Sequence, residues 1–394
     1  MLNGPFPSWP SFTEEEANAV KAVLLSNRVN YWTGERGHQF EQAFAEYTQV
    51  KHAIALTNGT VALELALKAL EIGEGDEVIV TPRTFIASVS AIIQVGAKPV
   101  FADVDFNSQN ITAETIEAVL TPKTRAVICV HLAGWPCDMA PILALARQHD
   151  IRVIEDCAQA HGAVYQGQSV GGIGDIGCWS FCQDKIMTTG GEGGMITTND
   201  KDLWSKIWSM KDHGKSWDSV FKRSHLESYR WLHDSFGTNA RMTEMQAEIG
   251  LIQLKKMPFW HAQRNAHADA IWQAAKGIEG LRAPTLNDLP NYHDSRHAAY
   301  KCYVFIEGDS VRRDQVLAQL KAQEIPCFVG SCPEVYLEKA FDGMSYKPKT
   351  SLPIAKTLGE TSLMFLCHPT LMQSHIKQTC DALVVAMQTH AVSG

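Results

Sequence analysis

Between residues 54 and 200 the sequence repeats one unit, a short apolar run rich in β-branched residues followed by a stretch with helical spacing. The runs occupy 54–56, 78–80, 99–102, 126–132, 152–155, 178–181 and 195–198. In most of them apolar residues do not alternate with polar ones, so both faces of the resulting strand must be covered. Helices on both sides of a mostly parallel sheet meet that demand, and the intervening stretches supply them. The pattern predicts an α/β fold.

The flanks extend this reading. Thr13 and Glu16 form a capping-box pattern ahead of Val20, Val23 and Leu24, which predicts a helix, and a second helical stretch carries Phe40, Phe44 and Tyr47. Thr243 and Gln246 repeat the capping pattern before Met245, Ile249 and Ile252. Pro258 is expected to break or kink that helix, which resumes over 262–275. After the loose text around Pro284 and Pro290, a strand at 300–306 and a helix at 311–321 predict a smaller α+β unit. The expected division is a large α/β domain at 1–253 and a small C-terminal domain at 254–394.

Charge and composition exclude several classes. Across 394 residues, 35 Lys and Arg face 43 Asp and Glu, a net charge of −8 that suits neither nucleic acid nor a membrane surface. No apolar run approaches the ~18 residues that span a bilayer. Met1-Leu2-Asn3-Gly4-Pro5 lacks the layout of a signal peptide, so a cytoplasmic protein is expected. The 10 cysteines include no Cys-x-x-Cys pair, and His131, His161, His213 and His368 are not at ligand spacing from one another. Reduced thiols and no metal are expected.

Gly172-x-Gly174-x-x-Gly177 matches the dinucleotide fingerprint letter by letter. That motif needs a helix after it to hold the pyrophosphate, whereas Cys178-Trp179-Ser180-Phe181 reads as a strand, so these glycines are expected to form a turn. Four other features converge on one cofactor. At Thr57-Asn58-Gly59-Thr60 a strand gives way to a helix whose free N–H groups can hold a phosphate. Asp156, in Glu155-Asp156-Cys157-Ala158-Gln159-Ala160-His161-Gly162, ends a buried strand and needs a cationic partner, such as a protonated pyridine nitrogen. Lys185 leaves another strand end for the glycine-rich loop Gly190-Gly191-Glu192-Gly193-Gly194, where a desolvated amine can form a Schiff base with an aldehyde. Phe85 follows the strand at 78–80 and can stack on a flat ring. Read singly, each has a plainer explanation: a capped turn, an ion pair, a surface lysine, a core aromatic. Together they point to pyridoxal phosphate (PLP), which a protonated ring nitrogen turns into an electron sink.

The blocks Asn58-Gly59-Thr60-Val61-Ala62-Leu63, Gly75-Asp76-Glu77-Val78, Glu155 to Gly162, Ser180 to Lys185, Gly191 to Gly194 and Asn239-Ala240-Arg241-Met242-Thr243-Glu244 resemble the DegT/StrS family of PLP-dependent sugar aminotransferases. This family belongs to the fold type I aspartate aminotransferase superfamily. The resemblance implies that Lys185 carries the cofactor as a Schiff base, Asp156 pairs with the ring nitrogen, Gln159 sits near the ring oxygen and Phe85 stacks on the ring. It further implies that Gly59, Thr60 and Ser180 hold the phosphate, with Asn239 reaching it from the partner of a homodimer. The implied reaction moves an amino group from L-glutamate to a nucleotide-linked keto sugar, with C3 and C4 both open.

As the family is known, sugar dehydratases of this fold replace the lysine, and regulators carry an added DNA-binding domain; the chain keeps Lys185, and because the resemblance begins within the first forty residues no such domain is expected. Three departures from the family pattern, Cys182, Trp135 and Arg83, are expected to line or adjoin the substrate pocket. Trp204, Trp208, Trp217 and Trp231, with Arg223 and Arg230, mark either a substrate-facing loop or a packed subunit surface.

Overall fold

The seven apolar runs become one sheet of order β1-β9-β8-β5-β4-β2-β3. The computed structural model describes residues 5–226 and 228–391; residues 1–4, read above for a leader, lie outside the described residues. After helices α1 (Glu14–Leu25) and α2 (Arg36–Thr48), the strands β1 (His52–Leu56), β2 (Glu77–Val80), β3 (Lys98–Phe101), β4 (Thr124–Val130) and β5 (Arg152–Asp156) alternate with α3 (Gly59–Ala69), α4 (Ala87–Gln94), α5 (Ala113–Glu117) and α6 (Met139–His149). A short hairpin, β6 (Val164–Tyr165) and β7 (Gln168–Ser169), precedes β8 (Ile176–Ser180) and β9 (Gly194–Thr198). Only β9 runs against the other six, pairing antiparallel with β1 and β8.

Both faces are buried, as the runs require. Along β1, Ile54 and Leu56 enter one core cluster while Ala53 and Ala55 enter another on the opposite face. Along β4, Ala126, Ile128 and Val130 take the first side, and Val127 and Cys129 the second. The parallel strands end together at one edge, where sheets of this kind bind ligands.

The fingerprint glycines lead into β8, a strand, as expected. The N–H groups of Gly171, Ile173 and Gly174 all donate to the Glu155 carboxylate at 2.7–2.9 Å, so an internal carboxylate fills that loop. Beyond β9 come α7 (Lys201–Met210), α8 (Trp217–Phe221) and α9 (Glu244–Lys276). Helix α9 runs unbroken through Pro258, so the expected break does not occur, and it also spans residue 254. Pro258 lies on the exposed face, where the backbone carbonyl that loses its partner can turn to water.

The C-terminal half of α9 packs on a second sheet, so one helix serves both units. That sheet is antiparallel, of order β10-β11-β13-β12, from β10 (Leu281–Arg282), β11 (Cys302–Ile306), β12 (Cys327–Phe328) and β13 (Ser362–Phe365). It is backed by α10 (Ser310–Ala322), α11 (Pro353–Thr361) and α12 (Gln373–Ala391).

One buried charge network fixes β1 relative to α2 and α7. Glu41 Oε1 accepts from the Ala55 N–H at 2.9 Å and from Lys211 Nζ at 2.6 Å, and that ammonium lies 4.0 Å from the centre of the Tyr31 ring. Lys211 is fully buried. Its loss strands a carboxylate inside the protein, so Lys211→Met is expected to lower unfolding stability by about 3–5 kcal/mol in a urea titration. A change below about 1 kcal/mol, the range of exposed pairs, would contradict this.

Candidate active site

A cavity of about 1150 Å³ lies between the carboxyl edge of the large sheet and the second sheet. Its floor carries the residues expected from sequence: Gly59, Thr60, Phe85, Asp156, Gln159, Ser180 and Lys185 all line it. Asn58 caps α3 by accepting from the Val61 N–H, which leaves the first turn at Gly59 and Thr60 facing the cavity. A side chain at Gly59 would place its Cβ 2.7 Å from the Ser180 Cβ, closer than atoms can sit. The glycine therefore lets the helix start and Ser180 converge on one point, a cradle sized for a phosphate.

Asp156 ends β5 and is almost wholly buried. Its Oδ2 accepts from the Ser88 hydroxyl at 2.8 Å and its Oδ1 from the Ala158 N–H at 3.1 Å. The Ser88 hydroxyl is itself hydrogen-bonded to the Thr84 hydroxyl, which fixes the carboxylate's rotation. Among the described residues Asp156 has no ion pair. Burial pushes its pKa above the usual carboxylate range, against the pull of Ser88, Ala158, Lys185 and His131. A buried carboxylate that faces the cavity with no ion-pair partner among the described residues fits a protonated pyridine nitrogen, and the cradle at Gly59 and Ser180 fits the same molecule's phosphate.

Lys185 is mostly buried, 3.5 Å from Asp184. Burial opposes the Asp184 charge, but Lys185 and the Tyr300 hydroxyl that donates to it hold its pKa below normal. The Trp9 indole donates to the Lys185 carbonyl at 2.7 Å and fixes the loop's backbone. His161 lies between the rings of Trp179 and Phe181, and burial brings its pKa to about 3, so it stays neutral behind the lysine. The Gln159 Oε1 accepts from the Ala133 N–H at 2.8 Å, which leaves the amide NH2 for a ligand.

A scan against protein families decides what this constellation belongs to: the profile described as the DegT/DnrJ/EryC1/StrS aminotransferase family matches residues 10–384. The chain belongs to that family. Its cofactor is PLP, and its fold is that of the fold type I aminotransferases. The aminotransferase from Psychrobacter cryohalolentis has a solved structure with 58% identity and a TM-score of 0.95, covering 98% of this chain and 99% of that one. GDP-perosamine synthase of Caulobacter vibrioides is 39% identical over 349 residues, 88% of each chain. A UDP-N-acetyl-3-dehydro-alpha-D-glucosamine 3-aminotransferase of Acidithiobacillus ferrooxidans is 38% identical over 355 residues, 90% of this chain and 89% of the relative.

The expectation for Asn239 concerns the partner's site and not the cavity of its own chain in this aminotransferase. Asn239 is exposed and outside it, bridged through its backbone to Asp212. Of the three departures, Cys182 lines the cavity. Arg83 is fully buried behind it, with its guanidinium 5.6 Å from the centre of the Tyr303 ring. Trp135 does not line the cavity: its large apolar ring is buried and packs edge-on against Tyr292 and His297. Trp204, Trp208 and Trp217 pack with Trp32 and Phe221 in one aromatic cluster, while Trp231 is exposed.

Lining residues that the sequence reading passed over come from β11 (Tyr303), from the segment just before it (Tyr300, Lys301) and from the loop after β12 (Ser331, Cys332); Trp9 comes from the N-terminal segment. The polar pair Tyr300-Lys301 opening an otherwise apolar strand was the available signal. The cradle yields a direct test. Gly59→Ala is expected to weaken PLP binding roughly tenfold, read by titrating the apoenzyme and following visible absorbance. Unchanged affinity would mean that the phosphate sits elsewhere.

Proposed function

We propose that this aminotransferase transfers the amino group of L-glutamate to the ketone of a nucleotide-linked sugar. The observation that carries the reading is the opposition, in one cavity, of the Lys185 amine and the buried, unpaired carboxylate of Asp156. The two relatives support the substrate class. Their names carry GDP in one and UDP in the other at nearly equal identity, so what they share is a nucleotide-linked amino sugar.

Bound PLP supplies an aldehyde for amine exchange and a ring that withdraws electrons from the carbon joined to its nitrogen. The residues do the rest. Asp156, its rotation fixed by Ser88 and Thr84, keeps a proton on the ring nitrogen. Gly59, Thr60 and Ser180 would hold the cofactor's phosphate. Lys185 would tether the cofactor at rest, and its freed amine would be the group that moves the proton at the reacting carbon. Asp184 and Tyr300 keep that amine close to the reacting atoms.

The same reading includes a homodimer with shared sites. Phe85 at the cavity mouth is 70% exposed, and Tyr229, Trp231 and Phe236 stand out at 70%, 79% and 101% on the segment that leads to Asn239. A second copy covering this surface would bring Asn239 to the neighbour's phosphate cradle. Light scattering on purified protein is expected to give twice the mass of one 43.6 kDa chain. A monomer at micromolar concentration contradicts the shared site.

The reaction itself is tested by adding L-glutamate to the PLP-loaded enzyme and following visible absorbance. The band is expected to change on adding donor and to return on adding a nucleotide-linked 3-keto or 4-keto sugar. Lys185→Ala is expected to abolish turnover, a loss of at least 10⁴-fold, since tether and proton carrier go together. Full turnover without Lys185, or a spectrum indifferent to glutamate, overturns the reading.

A further inference from the structure

Two lysine amines open into the cavity around one aromatic ring. Lys185 Nζ lies 5.4 Å from the centre of the Tyr300 ring, and Lys301 Nζ lies 5.0 Å from the same centre. The Tyr300 hydroxyl is committed to Asp184, and Asp184 in turn faces Lys185. Lys301, immediately before β11, forms no ion pair among the described residues, and only its backbone N–H finds a carbonyl, that of Ala133. Behind this wall Arg264 of α9 is fully buried over the Trp9 ring, with Nε and Nη2 unpartnered. The wall thus carries two cations and faces one acid already in use. A desolvated ammonium without a partner is costly, and the cost falls when an anion arrives.

The place of Lys301 beside Lys185 selects the anion. The reacting carbon of the substrate must sit at the Lys185 amine, so the anionic group has to be joined to that carbon or lie very near it. L-Glutamate carries a carboxylate on the carbon that bears its amine. A nucleotide-linked keto sugar places its diphosphate across the ring from C3 or C4. We propose that Lys301 binds a carboxylate of the amino donor, which makes it a specificity-determining residue for the donor half of the reaction. The inference rests on the donor reading above.

Titration supports the geometry. Burial brings the Lys301 ammonium down to about 8; Cys367 and Asp184 oppose this, and Arg264 and Lys185 reinforce it. The groups that face it come from the loop after β8, from α9 and from the segment after β13. Only the protonated amine can hold a carboxylate, so donor affinity is expected to fall as pH rises through about 8.

The test uses the PLP-loaded enzyme and glutarate, which has the donor's two carboxylates and no amine. By calorimetry, Lys301→Gln is expected to weaken glutarate binding about tenfold or more. Lys301→Arg is expected to keep wild-type affinity and lose the fall near pH 8, because a guanidinium stays charged. In turnover, Lys301→Gln should raise KM for L-glutamate and leave KM for the sugar unchanged. Equal glutarate affinity in wild type and Lys301→Gln overturns the inference, as does a KM change confined to the sugar, which would assign the lysine to a carboxylate on the acceptor. If Lys301→Gln does not fold, loss of glutarate binding in Lys301→Arg overturns it as well. A wild-type enzyme that ignores both L-glutamate and glutarate contradicts the donor reading itself, a result distinct from a wild type that responds to both while the variant binds equally.

Discussion

The carboxylate of Asp156 is the constraint around which this protein is organised. A charge at the end of a strand buried on both faces is tolerated only when something positive meets it, and among the described residues no lysine or arginine forms an ion pair with it. Ser88 and the Ala158 N–H occupy one lone pair on each oxygen and orient the group, yet burial still raises its pKa. The carboxylate is therefore left to meet a cation that no described side chain supplies as an ion pair. A protonated ring nitrogen meets the requirement, and Gly59, Ser180 and Lys185 are then placed to hold the same molecule's phosphate and aldehyde.

The strand order explains how these residues meet. Because six of the seven strands run one way, the loops after β1, β2, β5 and β8 open on the same edge, and residues spread from 58 to 185 share one crevice. The reversed strand β9 returns the chain from the lysine loop beneath the cradle, and Gly194 there permits close approach: a Cβ would lie 2.4 Å from the Asn58 backbone. The two glycines thus answer two different steric needs at one phosphate-sized space.

The seven strands were readable because sheets covered on both sides leave an uninterrupted apolar signature, and the floor of the site was readable because it sits where those signatures stop. What was hidden depends on contacts between distant parts of the chain. Trp9, Tyr300 and Lys301 gather around Lys185 from distant parts of the chain, and the polar pair Tyr300-Lys301 is the single local sign of that approach. Pro258 misled for a related reason: its effect on a helix depends on which side faces water, which the neighbouring residues alone do not show. Trp135, likewise, is a core residue because of Tyr292 and His297, far along the chain.

Chemistry and selectivity occupy different walls. The large sheet supplies the groups that would handle the cofactor, while the segment that leads into the second sheet adds Tyr300 and Lys301 to the facing wall of the cavity. The measurement that bears most directly on the central assignment is reduction of the PLP-loaded enzyme with borohydride, followed by proteolysis and mass spectrometry of the labelled peptide. The account requires one phosphopyridoxyl group, on Lys185. The label on Lys301 or on any other lysine, or no label at saturating PLP, would contradict it.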